Sequence, residues 1–379
     1  MLAELGAEII KVEFSPTGDP TRFMPFVRGG RSTYFVQQNL GKKSVCLNVK
    51  SDQGLKILKD LIRECDVFIE NGAPGVIGRL GLDYETVKKI NPRVIMCSIS
   101  AYGQVGPLAN APGFDWCGGA YAGTISMIGE RDGSPMPPQL AVGDVSAGML
   151  ACSGILAALI QRDRVGEGQF VDVSLLDAWF FLHDGAPASA SVEGGNRNSP
   201  TRNGCHVERF APMGVFKGSS RYFVIMVSTD FHFDRLCDAM RRPELGKDVR
   251  FATAQARLDN AKPLQEIIET WLGTVSEVVA QQAFDEHRVP AAPVLSVTEA
   301  CAHPHLRERG TVIGINDPIL GTFDVPGFPI RMSAASSLAD LRAPFLGEHN
   351  GAILHEVLGY SEGDIEQLQR DDVLQSEPR

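Results

Sequence analysis

Over the first half of the chain the apolar positions alternate between two rhythms. Leu55, Leu58, Leu61 and Ile62 recur at helical spacing within residues 52–65, and the run Val-Phe-Ile over 67–69 then reads as a short buried strand. The pair repeats, with a helical pattern over 84–90 followed by an apolar strand over 93–99. Ahead of both, residues 1–13 read as the tail of a helix, a stop at Gly6 and a strand over 8–13. Helix and strand alternating at this interval predict parallel strands with crossover helices, a doubly wound and mostly parallel Rossmann-like α/β domain. Ligands of such sheets sit beyond the carboxyl ends of strands, which singles out the turns 71–75 and 100–107. No Gly-x-Gly-x-x-Gly follows a strand, so nothing points to a nicotinamide or flavin site.

The sharpest feature is residues 168–182. Gln169 to Ser174 alternate as an extended strand, and the apolar run Leu175 to Leu182 fits a mostly buried helix. Ser174 stands at the N-cap position with Asp177 three residues on, as in a capping box. The spacing leaves two readings open. Asp177 either satisfies backbone N–H groups at the helix start, or is an ionised carboxylate placed to act as a nucleophile. Asp172 falls on the other register of the strand and reads as a hydrogen-bonding group. Asp115, in Pro112-Gly-Phe-Asp-Trp116, opens a small-residue helix and by spacing alone is a cap.

After residue 185 the composition changes to Ala, Ser, Gly and Asn, and the stretch ends in Arg202-Asn-Gly-Cys-His-Val-Glu-Arg209. Two strands around a Gly-Ser-Ser turn, over 211–217 and 221–228, then open a second, smaller α+β domain. The expected organisation is a large domain of residues 1–190 with 331–379, a linker and active-site loop over 191–210, and a small domain over 211–330.

Composition narrows the function. A chain of 379 residues, 44% hydrophobic and 22% charged, suffices for two cores. A net charge of -10 without a basic stripe argues against nucleic acid or an anionic membrane as partner. The apolar stretch 148–160 is too short to span a bilayer and reads as a buried helix, and no signal-peptide pattern precedes it. Eight scattered cysteines show no metal-ligand spacing, so neither a metal site nor a disulfide framework is expected, and reduced thiols fit a cytoplasmic protein.

Several motifs, in order, resemble those of the class III CoA-transferase family, the CaiB/BaiF type that includes formyl-CoA and carnitine CoA-transferases. They are Leu5-Gly-Ala-Glu-Ile-Ile-Lys-Val-Glu13, Asn71-Gly-Ala-Pro-Gly75, Ser100-Ala-Tyr-Gly-Gln-Val-Gly-Pro107, Pro112-Gly-Phe-Asp-Trp116, Asp172-Val-Ser-Leu-Leu-Asp-Ala178 and His287-Arg-Val-Pro-Ala-Ala-Pro-Val294. Arg288 stands where the last motif usually has Gly. The family's earlier strand and Ala-Gly-Pro turn are absent, so the large domain is expected to lack its first strand.

The resemblance implies that CoA passes from an acyl-CoA thioester to a carboxylic acid through aspartyl anhydride and aspartyl-CoA intermediates. Asp177 would be the nucleophile and Asp115 a carboxylate that orients it. Arg22 with Lys42 or Lys43 would meet the nucleotide end of CoA, and Asn71, Arg79, Ala101 and Tyr102 would line its path. Coenzyme A and acyl-CoA enter as substrates, with no tightly bound cofactor, and the implied partners are an acyl-CoA donor, a small carboxylic acid and a second copy in an interlocked homodimer. A mobile glycine-rich loop is matched only by Gly194-Gly195. Arg202, His206 and Arg209 crowd into the loop expected over the site, where an arginine fork suits an acceptor's remote carboxylate. A racemase or isomerase of the same fold is the alternative enzyme. Phe114, which cannot carry a proton, stands where the racemases have His. A non-catalytic CoA-binding homologue is the alternative outside catalysis.

Overall fold

The computed structural model describes residues 1–192, 201–334 and 342–377. Contacts divide the chain into two compact units, one of Met1–Phe114, Gly143–Ala178 and Glu299–Arg379, the other of Asp115–Val142 and Trp179–Thr298.

In the first unit, strands β1 (Ile9–Phe14) and β2 (Lys42–Leu47) pair in parallel, and β3 (Val67–Glu70), β4 (Ile95–Ser100) and β5 (Gln169–Ser174) form a second parallel sheet in that order. The strands are parallel because helices intervene, α1 (Asp52–Glu64) before β3 and α2 (Tyr84–Ile90) before β4. Ser51 starts α1 by accepting the Gly54 N–H at 3.1 Å.

Alternation along the central chain puts a helix on each face of the three-stranded sheet. Val94 and Met96 face a core with Ile57, Leu61 and Leu82, while Ile95 and Cys97 face Ala151, Ile155 and Ala158 of the long helix Val142–Val165. That helix is longer than the apolar stretch read from the sequence and is long and apolar enough to cross a bilayer by length and composition. Its inner face is nonetheless packed on the sheet. Gly168 leads into β5 because the backbone passes so close to Val94 that a Cβ would fall 1.9 Å from its carbonyl oxygen.

The parallel strands stand in two sheets where one continuous sheet was expected, and the edge of β2 that does not pair with β1 is taken by other segments. Asn48 N–H donates to Val373 O at 2.9 Å, Gln375 N–H to Cys46 O at 3.3 Å, and Cys46 N–H to Asn350 Oδ1 at 2.8 Å. Asn350 in turn donates to Gln375 O at 2.8 Å. The chain's last described residues thus complete an early strand.

In the second unit, β6 (Met213–Lys217), β7 (Tyr222–Met226) and β8 (Ala291–Pro293) form an antiparallel sheet with β7 central. Phe216, Phe223, Ile225, Phe233, Phe251, Leu264, Ile268 and Phe284 make its core. The helix Glu277–His287 ends on Arg288 in the left-handed region, φ 52°, the conformation for which glycine is the usual residue.

The units divide the sequence differently from the reading above at three places, one of them residues 179–190, which group with the second unit. Residues 299–326 group with the first unit because the hairpin Val312–Asp317 and Gly321–Pro326 packs Ile313, Ile315, Phe323 and Val325 against Phe35, Val36 and Leu40. Residues 115–142 group with the second, where Asp115 and Gly119 meet Trp179.

Candidate functional site

Asp177 is the third residue of the helix Leu175–Phe181, which begins directly where β5 ends. Its backbone N–H donates to Ser174 Oγ at 2.9 Å, and the Ser174 hydroxyl donates to Asp177 Oδ2 at 2.7 Å. Ser174 is fully buried and Asp177 exposed. The carboxylate is therefore anchored from beneath and reachable from above, so cap and nucleophile are compatible roles for one residue.

The loop after β4 is strapped to the same junction. Leu176 N–H donates to Ala101 O at 3.0 Å, Gln104 N–H to Asp172 Oδ2 at 3.0 Å, and Gly103 N–H to Ser100 Oγ at 3.0 Å. Gly103 takes φ 87°, which lets the chain turn back toward Asp172. Ala101 thus meets the start of the Asp177 helix. Tyr102 packs its ring where a Cβ on Gly113 would sit, 2.6 Å away. Asn71 is exposed just past β3, and Arg79 is exposed at the end of the short helix Val76–Arg79.

The basic positions differ sharply in environment. Arg22 is buried, its guanidinium forked onto Glu13 at 2.8 and 2.7 Å and laid over the Phe35 ring at 3.8 Å. Burial alone would raise the Glu13 carboxyl, but Arg22 and the Ser44 hydroxyl at 2.6 Å hold it below the usual glutamate value. Arg31 extends the cluster to Asp317 at 2.7 Å, and both arginines reach Pro344 O. Lys42 donates to Asn39 Oδ1 at 3.0 Å, and burial, reinforced by the charge of Lys11, pushes its ammonium down to about 8. Lys43 pairs with exposed Glu8.

In the second unit, Asp115 is buried at the start of the helix Asp115–Tyr121, and the Trp179 indole donates to its Oδ1 at 2.7 Å and its main-chain O at 3.0 Å. Phe114 is 84% exposed. Arg202 donates from Nη1 to Ser126 O at 3.0 Å and from Nε to Glu130 O at 3.3 Å. His206 stands edge-on to Phe216, its pKa lowered by burial against the opposing pull of Glu269 and Glu130. Arg209 is exposed, and Gly194-Gly195 lies outside the described residues. Among the described residues no cluster of three or more His, Cys, Asp or Glu could hold a metal ion.

Sequence reasoning missed Trp179 as a polar partner, since it sat within an apolar run. The available signal was its buried indole N–H, which calls for an acceptor.

The fold, parallel strands under crossover helices, is matched by known proteins. The sequence model of CoA-transferase family III matches residues 1–350, and the chain belongs to that family. It is an acyl-CoA:carboxylate CoA-transferase. It is 36% identical over 371 residues to succinyl-CoA:glutarate CoA-transferase of Mus musculus, covering 97% of this chain and 84% of that protein. It is 34% identical over 376 residues to succinyl-CoA–D-citramalate CoA-transferase of Chloroflexus aurantiacus, covering 99% and 93%. The crystal structure of a CaiB/BaiF family protein from Brucella suis superposes with a TM-score of 0.82 at 34% identity, covering 94% of this chain and 93% of that one.

Proposed function

We propose that Asp177 is the nucleophile of a covalent CoA relay. Its carboxylate attacks the donor's thioester carbonyl, giving an aspartyl mixed anhydride and CoA thiolate. The thiolate attacks the aspartyl carbonyl, releasing the donor as its carboxylate and leaving an aspartyl-CoA thioester. The acceptor carboxylate attacks that thioester, expelling the thiolate, which then takes the acceptor's acyl group from the second anhydride and frees Asp177. A carboxylate suits this exchange because it both attacks and leaves. The observation that carries the reading is the exposed Asp177 carboxylate held by the buried Ser174 hydroxyl at 2.7 Å. Ala101 and Tyr102 belong to the loop tied to that junction, and with Asn71 and Arg79 they are the proposed path of CoA. Lys42 and Lys43 are the proposed contacts for its nucleotide end. The buried environment of Arg22 favours an internal role.

The acceptor in this reading is a dicarboxylic acid, since the relatives are named for transfer to glutarate and D-citramalate. Arg202 is the proposed partner of its second carboxylate, with His206 and Arg209 in the same segment. The working unit in this reading is a homodimer. Val145, Met149, Leu156 and Ile160 form an exposed apolar stripe along the outer face of the long helix, and a second copy would cover it.

Hydroxylamine or borohydride added during turnover should modify Asp177, read by peptide mass spectrometry, and an unmodified Asp177 peptide would refute the relay. Assay of acyl-CoA donors against mono- and dicarboxylic acids identifies the acceptor class, and a monomer by light scattering at micromolar concentration overturns the dimer.

A further inference from the structure

We propose that the Ser174 hydroxyl is a catalytic hydrogen-bond donor, stabilising the negative charge that gathers on Asp177 Oδ2 each time the aspartyl carbonyl carbon is attacked. The inference rests on the reading of Asp177 as nucleophile and names the donor for the two relay steps that occur at its own carboxyl carbon.

The two carboxylate oxygens are held differently. Oδ2 lies 2.7 Å from Ser174 Oγ, while Oδ1 has no hydrogen-bond partner among the described residues. Oδ1 is therefore the oxygen free to attack the donor, and Oδ2 becomes the carbonyl oxygen of the anhydride and of the aspartyl-CoA thioester. When CoA thiolate adds to that carbon, the π pair moves onto Oδ2. It returns as the bond to Oδ1 breaks and the donor leaves as a carboxylate that keeps Oδ1. When the acceptor carboxylate adds to the thioester, the pair moves onto Oδ2 again and returns as thiolate leaves. One oxygen carries the developing charge in both steps, and Ser174 already stands within about 2.7–3.1 Å of it, the range in which a donor stabilises an oxyanion.

The hydrogen in this bond is the serine's, since an ionised carboxylate has none to give. The same hydroxyl accepts the Asp177 N–H at 2.9 Å, which polarises it toward donation. Ser174 is 0% exposed, and its backbone is fixed in β5 opposite Ser100 of β4. Water does not compete for the hydroxyl, and the donor needs no rearrangement when charge appears.

The chain carries its own comparison. Ser361 and Asp364 have the same spacing at the helix Glu362–Arg370, with the hydroxyl 2.6 Å from Asp364 Oδ2. There the carboxylate also accepts the Ser361 main-chain N–H at 3.1 Å, and both residues are exposed. That arrangement is a closed capping box in water. Asp177 takes no bond from the Ser174 main chain, and the hydroxyl it meets is buried. Capping requires only that the hydroxyl accept, so it leaves the donated bond to Oδ2 unaccounted for.

The test uses Ser174→Ala, Ser174→Cys, which keeps a weak donor, and Ser361→Ala as a control for loss of a cap. Each intact enzyme is loaded with the acyl-CoA found by the donor panel, and discharge of its aspartyl-CoA adduct by the acceptor acid is timed by rapid quench and mass spectrometry. Isotope-edited infrared spectra of the adduct in 13C-aspartate-labelled enzyme read the thioester carbonyl directly. The expected result for Ser174→Ala is discharge about 10²–10³-fold slower, an unchanged KM for acyl-CoA, and a carbonyl stretch at higher wavenumber than in the parent. Ser174→Cys should fall between the two, and Ser361→Ala should match the parent. Parental discharge or an unmoved stretch in Ser174→Ala overturns the role, as does equal slowing in Ser361→Ala. If Ser174→Ala does not fold, Ser174→Cys decides on the same two readouts. A parent enzyme that forms no adduct at Asp177 refutes the nucleophile reading itself, whereas an adduct whose discharge ignores Ser174 refutes this inference alone.

Discussion

Ser174 holds Asp177 at two points, accepting its backbone N–H at 2.9 Å and donating its own hydroxyl proton to Oδ2 at 2.7 Å. Each contact has a separate consequence. Asp177→Ala removes the proposed nucleophile and should abolish transfer, while the loss to the fold is limited to about 1 kcal/mol of capping. Circular dichroism and thermal melting check the fold, and transfer above a small residual fraction would reject Asp177 as nucleophile.

Ser174→Ala keeps the carboxylate and removes both anchors. The expected outcome is a slower enzyme with an intact covalent step, destabilised by about 1 kcal/mol. Denaturant unfolding and single-turnover kinetics measure the two losses, and an unaltered turnover would confine Ser174 to capping.

Arg22→Met leaves Glu13, which is 2% exposed, without its forked partner. Removing one member of a buried pair costs about 3–5 kcal/mol, so the change should appear as lost stability. A variant with parental stability but a raised KM for acyl-CoA would return Arg22 to the CoA site.

Lys42 sets a pH dependence at alkaline pH. Its folded pKa, pushed down to about 8 by burial and by Lys11, lies below the unfolded value of 10.5. Between those two values the unfolded chain binds more protons, so stability rises with pH across that window. The rise has an upper bound of about 3 kcal/mol. Lys42→Met should flatten it, as read by urea midpoints from pH 7 to 10.5, and an unchanged slope would show that another group is responsible.

Arg202 presents its guanidinium against Ser126 O and Glu130 O. Arg202→Met should lower kcat/KM for a dicarboxylate acceptor by about 1–3 kcal/mol and change a monocarboxylate little. Equal losses for both acids would assign the arginine to holding residues 126–130 in place.

What the sequence made legible was local. The change from strand alternation to an apolar run located the β5 junction, and the Ser-x-x-Asp spacing anticipated the Ser174–Asp177 bond. The parallel strands followed from helices that must cross between them. What stayed hidden depends on partners distant in the chain. By resemblance Arg22 reads as a contact for the nucleotide end of CoA, and its burial stayed hidden because Glu13 reads as part of an ordinary strand and Pro344 lies 322 residues away. Residues 115–142 could not be assigned to the second unit without the Trp179–Asp115 bond. Lys42 carries no sign in sequence of the burial that lowers its pKa.

The edge of β2, closed by Asn350 and residues 373–375, also bears on biosynthesis. A ribosome extends a chain at roughly 5–20 residues per second, so β2 emerges tens of seconds before the segment that finishes it. Through that interval Val45 and Leu47, both fully buried at the end, have no Ile353, Leu354 or Leu374 to meet. The second unit's core, drawn almost wholly from residues 216–289, can assemble while the first still waits. The nascent chain therefore presents an unpaired strand edge beside apolar side chains, the kind of surface that chaperones bind, and loss of the last few residues would leave that edge open for good.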